Sequence, residues 1–216
     1  MLKQSPRTEL PETKRKLVDA GVQLMRAQGY NATTVEEICA DAGVTKGGFF
    51  HYFKSKDDIA QAAAAHFFED RTHDYEQAPF RKLADPLDRV FGRLDYVKET
   101  TGGKAHVTKG CLIGVFAQEL SFTNPAIRDI CRHFFSRMAR DFTQDLAEAK
   151  AAHAPDAKFN PQAVAQLYIS VVQGSLMMAK TAGNNDVFYD NIEQFRSHVK
   201  CLFGLDAGKT SGKSGR

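Results

Sequence analysis

The sequence predicts an all-α fold. Apolar residues recur at spacings of three and four along most of the 216 residues, which is the period of a helix. No alternating run of apolar and polar residues is long enough to indicate a sheet. Hydrophobic residues make up 43% of the chain and charged residues 25%, which is typical of globular proteins and excludes a disordered or fibrous class. Roughly nine helices fit this pattern.

Four helices are predicted before residue 80. Gly29 stops the first, and Gly43 stops the second. Thr33 and Thr34 are alternative caps of the second helix, because each is followed three residues later by a glutamate, the spacing of a capping box. Thr45 and Ser55 are the caps of a very short third helix and of a longer fourth. The predicted helices run from about 12 to 28, from 33 or 34 to 42, from 45 onward, and from 55 to about 75.

Five further helices are predicted after a linker at residues 79–86. The sixth, residues 111–120, is almost entirely apolar and should be buried on most sides. The eighth, which starts at Pro161, has apolar residues on more than one face and must be covered on two sides. The other three helices carry one apolar stripe each. The stripe of the fifth is Leu87, Val90, Phe91, Leu94 and Val97, and that of the seventh is Ile127, Cys131, Phe134, Met138 and Phe142. The stripe of the ninth is Phe188, Ile192, Phe195, Val199 and Leu202.

Charge and cysteine usage limit the possible functions. The net charge of +3 is too small to indicate nucleic-acid binding by itself, but basic residues concentrate in residues 1–16 and 43–56. No apolar run is long enough to span a membrane or to form a secretion signal, so we expect a cytoplasmic protein with no membrane partner. The four cysteines have neither metal-site nor redox spacing, so we expect reduced thiols and neither a metal nor a cofactor.

The stretch TVEEICADAGVTKGGFFHYF, residues 34–53, has the pattern of a helix-turn-helix. Gly43 supplies the tight turn, and Val44 is the buried hinge residue. Lys46, Gly47 and Gly48 lie at the leading end of the second helix, where two glycines allow the backbone to approach DNA closely. A purely structural helical hairpin is the alternative, but it does not explain why both caps, the turn and the basic run coincide.

These residues resemble the DNA-binding domain of the TetR family of repressors. The resemblance covers residues 11–71, and it implies that a helix-turn-helix at 34–53 binds operator DNA. It implies groove-facing positions at Thr45, Lys46, Gly47, Phe49 and His51. It implies phosphate contacts from Thr33, Thr34, Tyr52 and Lys56, partly through amides at helix N-termini. Phe49 and Phe50 depart from the commoner family residues, and a phenylalanine here could touch a thymine methyl or pack inward. His51 could bond a phosphate or read a base.

The resemblance also implies that residues 72–205 form an effector-binding and dimerisation domain. We expect a flexible basic N-terminus at 1–10 and, from its glycine, serine and lysine content, a disordered tail at 206–216. The stretch 109–128 looks like a subgroup of the family that carries a similar glycine-cysteine-leucine opening. Candidate effector contacts are Cys111, Phe91, Phe116, Glu119 and Phe134. Lys109 and a helix N-terminus would make Cys111 reactive. The alternatives are that the phenylalanines fill a solid core and that Cys111 is an inert small hydrophobe.

Two subunits are expected to pair through the last two helices, with Gly174 and Ser175 allowing close approach. The predicted function is that of a dimeric repressor that binds a palindromic operator and is released by a small apolar or electrophilic effector. An activator or architectural factor with the same DNA-binding region is the alternative. An enzyme is not expected, because no catalytic motif occurs. His66, Asp70 and His73 share a helical face that could bind a metal, but a solvated surface is the commoner outcome.

Overall fold

The computed structural model describes residues 10–101 and 110–205, and these form nine α-helices and no strand. The all-α prediction is therefore confirmed, and a 3₁₀ turn at Pro79–Lys82 occupies the predicted linker. The segments 1–9 and 206–216, for which flexibility is predicted, lie outside the described residues. The helices are α1 (Glu12–Gln28), α2 (Val35–Ala42), α3 (Lys46–Tyr52), α4 (Lys56–Gln77), α5 (Pro86–Thr101), α6 (Leu112–Glu119), α7 (Pro125–His153), α8 (Pro161–Ala182) and α9 (Asp186–Leu202).

The two candidate caps of α2 have different roles. Thr34 is the N-cap, since its Oγ1 accepts from the Glu37 amide at 3.2 Å while its own amide donates to Glu37 Oε2 at 2.8 Å. This is a capping box. Thr33 is fully buried, and its hydroxyl donates to the carbonyl of Gly29 at 2.6 Å. Thr33 therefore closes the loop that joins α1 to α2.

The buried residues form two hydrophobic clusters. The first joins α1–α4 to α6 and to the beginning of α7, and the second joins α5, the rest of α7, α8 and α9. The N-terminal helices therefore share a core with the C-terminal part of the chain. Helix α4 also continues without a break through residue 71. A displacement of the C-terminal part should therefore also displace the N-terminal helices, because packed interiors transmit strain.

A buried ionic network holds α5 against α7. Asp145 is only 4% exposed and accepts from Arg93 Nη2 at 2.9 Å and from Arg89 Nε at 3.3 Å. Arg81 approaches the same carboxylate at 3.7 Å. The guanidinium of Arg93 is 1% exposed and also lies 5.0 Å from the centroid of the Phe142 ring. A cation on an aromatic face is favourable, and more so when water is excluded.

Within the described parts of the chain, no helix has both the length and the apolar character required to cross a bilayer.

Candidate DNA-binding surface and effector cavity

Helices α2 and α3 form a helix-turn-helix. Gly43 ends α2 in the left-handed region at φ +63°, which suits a residue without Cβ. Its amide donates to the Ala40 carbonyl at 3.2 Å, and the Val44 amide donates to the Cys39 carbonyl at 2.9 Å. Thr45 then caps α3 by accepting from the Gly48 amide at 3.1 Å. The predicted turn and cap are thus present.

One face of α3 is open to solvent. Its exposed residues are Thr45, Lys46, Gly47, Phe50 and His51. The Lys46 ammonium pairs with Glu36 of α2, and this contact raises the pKa of Lys46 above its usual value. A Cβ placed on Gly47 would have only the Thr45 hydroxyl, at 4.0 Å, within contact range, so no protein packing requires glycine there. The open face is suited to entering a groove of DNA.

The prediction that Phe49 faces the groove is wrong. Phe49 is fully buried, and its ring packs against Phe53 at a centroid distance of 5.6 Å. Phe50, which was not among the predicted site residues, is the phenylalanine that reaches solvent, with 51% of its surface exposed. The spacing of four between Phe49 and Phe53 placed both on one helical face and was the available signal.

Of the predicted phosphate contacts, some can reach a DNA backbone and others cannot. Thr34 is exposed, and Tyr52, the last residue of α3, is half-buried, so both can reach a DNA backbone. The prediction for Thr33 is wrong, because its hydroxyl and its amide both bond to carbonyls of its own loop. Lys56 Nζ donates to the carbonyls of Tyr30 and Thr33, each at 3.1 Å, so its ammonium stabilises that loop. The Lys56 amide remains a candidate, since it lies in the first turn of α4.

A cavity of about 410 Å³ lies where the N-terminal helices meet the rest of the protein. Cys111 and Phe134, both predicted effector contacts, line it, together with Met138 and Leu176. Its polar wall includes His66, whose Nε2 lies 3.4 Å from Asp19 Oδ1 and 3.3 Å from Asp70 Oδ2. The volume falls in the range of small-molecule sites, and the wall combines apolar surface with a few polar groups, as such sites do.

Three predicted effector residues do not line this cavity, and their contact with an effector stays a prediction. The Phe91 ring lies under the Arg196 guanidinium at 5.6 Å. Phe116 is fully buried in the first core cluster. Glu119 accepts from the amide of Asn31 at 2.9 Å, and so ties the end of α6 to the loop between α1 and α2. Glu119 also borders a smaller neighbouring cavity of about 240 Å³.

Arg26 lines the larger cavity, and the sequence reasoning missed it. It belongs to the last turn of α1 and is only 8% exposed. Its Nε and Nη2 donate to the carbonyl of Gly110 at 3.0 and 2.9 Å, and Lys180 Nζ donates to the Arg26 carbonyl at 3.1 Å. Burial lowers its pKa. Arg26 thus joins α1 of the helix-turn-helix region to the start of α6 and to α8.

Comparison with known proteins agrees with this arrangement. A model of bacterial regulatory proteins of the tetR family matches residues 17–63, and a model of the tetracyclin repressor-like C-terminal domain matches residues 86–195. The chain belongs to the TetR family. It is therefore a DNA-binding transcriptional regulator and not an enzyme. Regulators of this family bind operator DNA and small-molecule effectors, typically as dimers.

Relatives of this TetR-family regulator extend over most of its length. It is 26% identical to the HTH-type transcriptional repressor DhaR of Mycobacterium sp. (strain GP1) over 170 residues, 79% of this chain and 83% of DhaR. It is 26% identical to the transcriptional regulator AcuR of Cereibacter sphaeroides over 189 residues, 84% and 83% of the two chains. A crystal structure of the regulatory protein TetR from Rhodobacter sphaeroides superposes with a TM-score of 0.77 at 26% identity, covering 87% of this chain and 99% of that one.

The cysteines of this TetR-family protein differ in accessibility, and none forms a disulfide. Cys111 immediately precedes α6 and is partly exposed, as expected for a thiol at a helix N-terminus. Burial raises the pKa of Cys131 to about 11, so this thiol stays protonated and unreactive at neutral pH. Cys201, near the end of α9, is exposed. Lys109, the predicted activator of Cys111, lies outside the described residues.

An apolar strip on α8 is uncovered within a single chain. Leu167 is 44% exposed and Met178 is 50% exposed. They lie in one shallow groove between α8 and α9. The opposite face of α8, which includes Val172 and Leu176, is buried in the second core cluster. The sequence predicted that two faces of α8 are covered, and within a single chain only one of them is buried.

Proposed function

We propose that this protein is a repressor that binds a palindromic operator as a homodimer and is released when a small effector occupies the cavity of about 410 Å³. The observation that carries the proposal is the position of Arg26. This residue is part of α1, which packs against the recognition helix region, and it also lines the cavity. Its proposed place of action is the cytoplasm, where an operator is accessible.

The release mechanism follows from the contacts of Arg26. Its guanidinium donates to the Gly110 carbonyl, and its own carbonyl accepts from Lys180. An effector that contacts this junction would favour a different position of α1 relative to α6 and α8. The Glu119–Asn31 contact would pass the shift to the loop before α2. Only a difference in effector affinity between the two positions is needed.

On the DNA side, the proposed groove contacts are Thr45, Lys46, Gly47, Phe50 and His51. Phe50 replaces Phe49 in this set because it is the exposed one of the two, and an exposed aromatic ring can contact a thymine methyl. Thr34, Tyr52 and the Lys56 amide are the proposed phosphate contacts. Two such surfaces related by a two-fold axis would enter major grooves about 34 Å apart, which requires a palindromic operator.

The proposed dimer contact is the apolar strip of α8 beside α9. Replacing Leu167 with glutamate is expected to convert a dimer to a monomer, because the symmetric contact would bury two unpaired carboxylates. We expect a dissociation constant at least ~100-fold weaker, measured by light scattering over a dilution series. Met177→Glu is the matched control, since Met177 is similarly exposed but borders the smaller cavity of about 240 Å³. A monomeric wild type at micromolar concentration would refute the dimer.

Cys111 offers a second way for an effector to act. Its partly exposed sulfur lies in the cavity wall, so an electrophile that enters the cavity could bond to it covalently. A Cys111→Ser variant separates the two effector classes. It should lose the response to electrophiles and keep the response to non-reactive apolar molecules.

The test of the proposed function is a binding assay with DNA from upstream of the protein's own gene. We expect steep salt dependence and an affinity roughly a thousandfold or more above that for scrambled DNA. A panel of small apolar and electrophilic molecules is then added to the complex, and at least one should release the DNA. Equal binding to both DNAs would favour an architectural factor, and tighter binding with effector would exclude release.

A further inference from the structure

We infer that the cavity binds a small organic anion, a carboxylate with an apolar body, through the guanidinium of Arg26. The inference rests on the proposed function in one respect only, namely that the bound molecule is the effector. It names the chemical class of that molecule.

Arg26 is a buried cation without an acidic partner among the described residues. Its hydrogen bonds to these residues use two of its five N–H groups, and both go to a neutral acceptor, the Gly110 carbonyl. Among the described residues, no carboxylate pairs with it, and residues 102–109, which are not described, contain neither aspartate nor glutamate. A buried charge is costly unless it is paired. The partner that is missing from the protein is an anion.

Other buried or half-buried arginines of this chain do have such partners. Arg93 is bonded to Asp145 at 2.9 Å, and Arg71, which lines the same cavity, is bonded to Asp74 at 2.5 Å. The lack of a carboxylate at Arg26 is therefore a property of this position. Lys180, the second cation at the junction, donates to the Arg26 carbonyl and has no acidic partner among the described residues. Within the described part of the chain, no carboxylate pairs with either cation beside Gly110.

The acidic groups of the cavity wall lie at a different place. Asp19 and Asp70 both face His66. Asp19 precedes Arg26 by seven residues of the same helix, roughly 10 Å along its axis. An anion at Arg26 would therefore be separated from Asp19 by about two turns of α1. The cavity has an acidic side with His66 and a basic side with Arg26.

The remaining wall defines the body of the ligand. Phe67 packs under the Arg26 guanidinium at 5.5 Å, and Phe134, Met138 and Leu176 add apolar surface. A carboxylate matches the planar guanidinium in shape, and a short hydrocarbon chain or an aromatic ring matches the apolar wall. A neutral molecule of the same shape would leave Arg26 buried and unpaired.

The experiment is calorimetric titration of the full chain, without DNA, with two matched pairs: hexanoate against hexanamide, and benzoate against benzamide. We expect each acid to bind at least ~10-fold more tightly than its amide, since hydrogen bonds to charged groups are the strong ones. Arg26→Gln should reduce that ratio to about one, and Arg26→Lys should keep part of it. Arg128→Gln, at an exposed position on α7, is the matched control and should change nothing.

Equal binding of acids and amides by the wild type, no binding of any acid below about 10 mM, or a ratio that survives Arg26→Gln would each overturn the inference. The acid–amide ratio of the wild type stands by itself if the Arg26 variants fail to fold. Because binding is measured without DNA, selective acid binding that does not release the operator would contradict the proposed function and leave the inference intact.

Discussion

Replacing Asp145 with asparagine is expected to destabilise the protein by about 3–5 kcal/mol, because the substitution leaves Arg93 as a buried charge without a counter-ion. Arg89 and Arg81 lose the same partner. For a chain of this size, the melting temperature should fall by roughly 6–20 °C. Differential scanning calorimetry at a fixed protein concentration measures the change, and the concentration must be held because a dimer's melting temperature depends on it.

Asp141→Asn is the matched control for that experiment. Asp141 approaches Arg81 at 3.4 Å, but its side chain is 32% exposed, so its loss should cost less than about 1 kcal/mol. If Asp145→Asn also lowers the stability by less than about 1 kcal/mol, water reaches the ionic network, and the network does not hold α5 to α7. If Asp145→Asn lowers the stability far more than Asp141→Asn, the burial of the carboxylate, and not the number of its ion pairs, determines the loss.

Local signals in the sequence were sufficient for the helices. The bounds of α1 agree at both ends, because Gly29 follows its last turn, and the caps at Thr45 and Ser55 are used as the sequence indicated. These features depend on neighbours within four residues. For the same reason the helix-turn-helix could be located by spacing alone.

Local patterns could not determine the roles of residues that depend on distant contacts. Thr33 and Thr34 have the same local pattern, and only the burial of Thr33 against its loop distinguishes them. Glu119 in an apolar run was correctly expected to need a partner, but that partner is an amide 88 residues away in the chain. Phe91 and Phe116 were candidates by composition, and composition does not separate a cavity wall from a solid core.

The role of Arg26 in the effector cavity also depends on distant contacts. In the sequence it is a basic residue in the last turn of a helix, where cations are favoured and usually solvated. Its burial results from the packing of α1 against α6, and its acceptor lies 84 residues away. The cavity and the DNA-binding region share one helix, and no local pattern could have shown that.

Replacing Lys46 with alanine is expected to weaken operator binding by about 10-fold or more, because Lys46 is the exposed cation at the leading end of the recognition helix. Stability should be almost unchanged. The contact that Lys46 loses in the free protein is a surface pair with Glu36, and such pairs contribute little. Titration of labelled operator at several salt concentrations measures the affinity, and thermal unfolding checks the fold.

The salt dependence decides what Lys46 contacts. If it binds a phosphate, Lys46→Ala should reduce the magnitude of the slope of log K against log salt by about one and weaken operator and scrambled DNA alike. If it reads a base, the loss should be confined to the operator. Lys158→Ala, at an exposed lysine between α7 and α8, is the matched control and should have no effect. Unchanged binding in Lys46→Ala would mean that the one lysine of α3, which has no arginine, does not contact the operator.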